Sequence, residues 1–188
     1  MDIKAFWDKA ITYEEYMKNA RESVAHPKAG IETEFHEYYK LGVHRMERTM
    51  KIFNPDSAQE KALADKKFKG KILIISEAWC GDASNAVPIV EKFFKDNEVR
   101  ITYRDAEPSL INDFLTNGSK SIPIVIFLDE DYNVISHWGP RPAYGHELFE
   151  KHKKDPIGYD KDQFHNDVQK YYVQNRGKDT VDEMLALI

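Results

Sequence analysis

The sequence predicts an α/β fold. It has a three-layer βαβαββα core with a mixed sheet over residues 70–154, and helical N- and C-terminal extensions at 1–69 and 155–188. Three observations lead there. The hydrophobic spacing is helical up to residue 68, changes to short branched runs at Gly70, and becomes helical again after residue 142. Strand-like and helix-like segments alternate in the middle third, the pattern of a parallel β-α-β unit. The last two strand-like runs are separated only by EDYN, which makes them an antiparallel hairpin.

The elements follow in order. Phe6, Ala10, Tyr13, Met17, Ala20 and Val24 recur at intervals of three and four, so they share one helical face. HPKAG at 26–30 interrupts with a proline and a glycine. Phe35, Tyr39, Gly42, Met46, Met50 and Phe53 form a second stripe, which NPDS at 54–57 stops. Ser57 and Glu60 then have the spacing of a capping box for a short third helix ending near Phe68. KILIIS at 71–76 is short, apolar and branched, the signature of a buried strand. Residues 83–96 return to helical spacing, 99–106 alternate as a strand, and PSLINDFLTNG at 108–118 reads as a helix with proline near its start and glycine at its end. Strands at 123–129 and 134–139 precede a helix at 142–154. The C-terminal extension carries a longer helix up to Gly177 and a last one that Thr180 and Glu183 would cap. No Gly/Ser linker separates the three segments, so the extensions are expected to pack on the sheet as one compact domain.

Composition excludes several function classes. The formal net charge of −5 argues against nucleic acid or an anionic membrane as main partner. No apolar run reaches a membrane span, and the amphipathic, acidic start has no signal-peptide pattern. One cysteine cannot form an internal disulfide, so a soluble cytoplasmic protein is expected. The histidines are scattered and no metal or nucleotide motif occurs, so no cofactor is expected.

The candidate chemistry lies in EAWCGDASNAVP at 77–88. Cys80 falls after the first strand and before the first core helix. The free N–H groups and dipole of a helix start favour an anion, so a lowered thiol pKa is expected there. Gly81 permits an unusual turn, Asp82 or Ser84 is a candidate cap, and Pro88 sits inside the helix. Asp82 would raise the thiol pKa if it faced the sulfur. The bland reading is that a free cysteine is a small buried hydrophobe. Trp79 before it, and SIP at 121–123 opening the third strand, favour the functional one.

These residues resemble the thioredoxin superfamily. The resemblance rests on Trp79-Cys80-Gly81, Pro88, and Ile122-Pro123, over about residues 70–150. It implies a thioredoxin-like fold, a kinked active-site helix and a cis Ile122-Pro123 bond whose loop lies against the sulfur. WCGDA at 79–83 with WGPRP at 138–142 is similar to a group of small bacterial thioredoxin-like proteins. Ala83 stands where a dithiol motif has its second cysteine.

With Ala83 in place of a resolving thiol, a monothiol reaction is expected: Cys80 as nucleophile or redox sensor, with Trp79, Gly81, Asp82, Ile122 and Pro123 binding the substrate. An external thiol would then resolve the mixed disulfide. The partner would be a protein or a low-molecular-weight thiol or disulfide. Arg104 and Asp105 at the end of the second strand, and Arg141, are candidates to tune the sulfur or hold a carboxylate; the alternative is local ion pairs. The competing functional reading is a binding module that keeps the Pro123 loop and groove without redox chemistry. It predicts a buried or unactivated sulfur.

Overall fold

The computed structural model describes residues 2–188. Its sheet has four strands: β1 (Lys71–Ser76), β2 (Val99–Tyr103), β3 (Ile124–Leu128) and β4 (Val134–Trp138), in the order β2-β1-β3-β4. β1 runs parallel to β2 and antiparallel to β3, and β3 pairs antiparallel with β4. The continuous apolar run of β1 is explained by its central place, covered on both faces.

Alternation along the strands divides the core. Ile72, Ile74, Val125 and Phe127 face one layer of helices. These are α2 (Tyr13–Ala25), α4 (His36–Ile52), α6 (Ala83–Phe93) and α9 (Lys178–Leu185), which supply Tyr16, Met46, Val87, Val90, Val181 and Met184. Leu73, Ile75, Ile124, Ile126 and Leu128 face the other side, against Ile3 and Trp7 of α1 (Ile3–Lys9) and Leu110, Ile111 and Phe114. The remaining helices are α3 (Ile31–Glu34), α5 (Ser57–Lys66), α7 (Ala143–Lys154) and α8 (Lys161–Asn175). Leu148 of α7 packs with Phe164, Val168 and Tyr172 of α8 in a small satellite core.

Four expectations need correction. The helix expected at 108–118 is a single 3-10 turn, Leu110–Asp113. Leu110, Ile111 and Phe114 are buried, but Asn112, Asp113, Thr116 and Asn117 are poor helix formers, and Asn117 and Gly118 adopt positive φ in a tight turn. The first stripe is broken rather than continuous: Thr12 and Glu15 make a capping box that starts α2 afresh, and Ile11 bridges Ile101 on the edge of β2. The capping box of α5 uses Asp56 and Gln59, one residue earlier than Ser57 and Glu60. Thr180 and Glu183 do not cap α9: Thr180 is buried inside it, and the Glu183 carboxylate accepts from Trp138 Nε1 at 2.7 Å and Ala143 N at 2.8 Å. Glu183 thereby ties the last helix to the end of β4 and the start of α7.

Two extensions reach the 77–82 segment. A Cβ on Gly42 would lie 2.0 Å from the Ala78 carbonyl oxygen, so α4 meets that backbone with no side chain between. From the other end of the chain, α8 brings Gln169 and Tyr172 to the same segment.

Candidate functional site

Cys80 closes a turn, its N–H bonded to Glu77 O at 3.0 Å, and its carbonyl accepts from Ser84 N at 3.0 Å at the start of α6. The residue is half-buried. Its thiol donates to the Ile122 carbonyl at 3.3 Å, next to the cis Ile122–Pro123 bond. The lowered thiol pKa expected from the helix start is not found. Burial, and then the Asp82 carboxylate, push the thiol up to about 12, against the backbone N–H groups of Ala83 and Asp82 and the Arg141 charge. Desolvation outweighs the helix start because it acts on the whole charge of a thiolate, whereas the dipole supplies a partial one.

Asp82 does not cap α6, and neither does Ser84, whose hydroxyl donates to Gly81 O at 2.8 Å. The Asp82 carboxylate turns to Arg141 instead. Its Oδ2 accepts from Arg141 Nε at 3.0 Å and Nη2 at 2.6 Å, and its Oδ1 accepts from the Tyr172 hydroxyl at 2.8 Å. Both side chains of the pair are nearly buried, 11% exposed for Asp82 and 14% for Arg141. The WCGDA and WGPRP segments therefore meet in one ion pair. Burial, together with the adjacent Asp82 carboxylate, raises the Tyr172 hydroxyl far above its ordinary range, keeping it a donor.

Trp79 lies between the Phe35 ring, with centroids 5.0 Å apart, and the Arg104 guanidinium, 4.7 Å from its centroid. Arg104 binds Asp105 through two hydrogen bonds of 2.7 and 2.6 Å. The two form a local ion pair, with Arg104 covering Trp79 and Asp105 N donating to Glu77 Oε1 at 3.2 Å. Burial pushes the Glu77 carboxyl up to about 7.

Cys80, Gly81 and Asp82 form the floor of a cleft of about 300 Å³. Phe35, Tyr38, Leu41 and Arg45 wall one side; Phe164, Val168 and Gln169 wall the other. Arg45, Gln169 and Tyr172 lie in segments that sequence reading assigned to core stripes or passed over. Arg45 and Gln169 give only the signal of a polar residue set beside an apolar stripe, and Tyr172 only that of a stripe residue. Among the described residues no group of three or more histidine, cysteine or carboxylate side chains is placed to hold a metal, and no helix is long and apolar enough to cross a membrane.

A family model described as thioredoxin matches residues 30–154. The chain belongs to the thioredoxin family. The matched stretch takes in α3, α4 and α5 as well as the sheet, so part of the N-terminal extension is inside the family's own unit. Two solved structures share this fold. One is a protein of unknown function from Pseudomonas aeruginosa, at 15% identity and TM-score 0.60, over 96% of this chain and 92% of that one. The other is an HIV epitope-scaffold at 18% identity and TM-score 0.55, over 94% of this chain and 97% of that one. No curated protein matches.

Proposed function

We propose that this member of the thioredoxin family is a binding module. The cleft over Cys80 takes a ligand, and Cys80 serves as a protonated thiol. The observation that carries this reading is the Cys80 thiol itself. It is half-buried, donates to the Ile122 carbonyl and sits beside a carboxylate, the surroundings of a hydrogen-bond donor rather than of a thiolate. Ala83 supplies no resolving thiol. The cleft matches small-molecule sites in being mostly apolar with a few polar groups.

A second reading, monothiol exchange, has one observation in favour. The sulfur lies at a helix start, where the N–H groups of Asp82 and Ala83 favour its anion, and it borders an open cleft. In that cycle Cys80 loses its proton and attacks a disulfide, one sulfur of which leaves as a thiolate. An external thiol then releases Cys80 by the reverse exchange.

Exchange with hydroxyethyl disulfide at pH 7, followed by intact mass, separates the two. The binding reading predicts a mixed disulfide at Cys80 forming at least about ten-fold more slowly in the folded than in the unfolded chain. Formation faster in the folded chain would establish monothiol exchange instead.

A further inference from the structure

The cleft contains more positive than negative charge, and its one carboxylate is already occupied. Arg45, Arg141 and Lys161 reach it, against Asp82 alone. Both Asp82 oxygens are taken, by Arg141 and by Tyr172. Arg45 is half-buried, and among the described residues it forms no ion pair; burial of its charge, only partly offset by Asp82, lowers its pKa. A guanidinium partly withdrawn from water and without a carboxylate partner gains from an incoming anion.

Geometry locates the anion. A Cβ on Gly81 would lie 3.5 Å from Arg45 Nη1 and 3.3 Å from Gln169 Nε2, so two N–H-bearing groups converge above the residue that follows Cys80. Gln169 Oε1 already accepts from Asn85 Nδ2 at 3.1 Å, which turns its NH2 toward Gly81, where it has only a 3.5 Å contact with the carbonyl. A planar guanidinium beside an amide NH2 suits the two oxygens of a carboxylate. Lys161 adds positive charge from α8, and His165, whose pKa burial lowers, adds none at neutral pH. The rest of the wall is aromatic or aliphatic: Phe35, Tyr38, Leu41 and Phe164.

Resting on the binding reading above, we infer that the ligand is a small carboxylic acid with an aromatic or aliphatic body, its carboxylate held beside Gly81 by Arg45 and Gln169. The test titrates 15N-labelled protein at pH 7 with 3-phenylpropionate, with its neutral amide, and with inorganic phosphate. The carboxylate is expected to shift the Cys80–Asp82 amide signals and to bind at least about ten-fold more tightly than the amide. Arg45→Gln should erase that preference and Arg45→Lys should keep part of it. Lys161→Gln, on an exposed residue, should weaken carboxylate binding slightly without disturbing the fold.

Equal binding of acid and amide in the cleft would overturn the carboxylate assignment and leave the binding module standing. Phosphate binding as tightly as the acid would overturn it too, in favour of a bare anion site. If neither organic probe shifts these signals, the inference fails. Fast disulfide exchange at Cys80 would then show that the binding reading has failed with it.

Discussion

The two extensions meet the 77–82 segment in different ways. The N-terminal one arrives by close packing: α4 presses Gly42 onto the Ala78 carbonyl, and Phe35 lies on Trp79. The C-terminal one arrives by polar bonds: Tyr172 donates to Asp82, and Gln169 bonds with Asn85 and Gly81. Packing fixes a position irrespective of charge state. A bonded carboxylate fixes it only while the charge and its partners are present. The cleft therefore has one wall set by sterics and one set by electrostatics, with Cys80 between them.

The largest expected effect breaks the electrostatic wall. Asp82→Asn leaves Arg141 nearly buried without a carboxylate, a loss of about 3 kcal/mol measured by urea unfolding. The same change removes the second cause of the raised Cys80 pKa, so the thiol should titrate at lower pH. Gly42→Ala strikes the packed wall: the new Cβ meets backbone, which cannot rotate away, and about 2 kcal/mol should be lost with no change in the thiol titration. Tyr172→Phe deletes one bond to a charged group and should cost about 1.5 kcal/mol, detectable as a lowered unfolding midpoint.

Above neutral pH the smallest effect belongs to Glu77, on the packed side. Its folded pKa is raised from 4.5 to about 7, so the folded chain holds a proton that the unfolded chain has released. Stability should therefore fall as pH rises through that window and level off above it. Only about 0.4 kcal/mol of the loss falls between pH 7 and 8. Glu77→Gln should flatten the slope, which unfolding at several pH values would reveal.

Much of this architecture was legible from local pattern. The branched run of β1, the EDYN hairpin and the helical spacing of α6 each encode an element within a few residues, and each formed within two or three residues of its expected bounds. The 108–118 segment was misread because proline and glycine bracket a helix and a tight turn alike, and there the intervening Asn and Asp residues prevailed. Cys80, Asp82 and Pro123 stand out as candidates because a strand end, a helix start and a proline before a strand are local signals. The partners that set their chemistry were not local. Arg141 is 59 residues from Asp82 and Tyr172 is 90, and no spacing rule reaches that far. The thiol pKa was misjudged for the same reason: the helix start can be read from sequence, whereas the desolvation that outweighs it depends on the whole cleft.

The most direct test of the central claim, that Cys80 is a protonated thiol on the floor of a binding cleft, is the pH dependence of its alkylation rate. The folded and unfolded chains would be compared at one temperature. The structure predicts that the folded chain shows no titration midpoint up to pH 9.0, the ordinary thiol value, and is reached only at higher pH. A folded-state midpoint below about 7.5 would contradict it and return Cys80 to the role of an activated nucleophile.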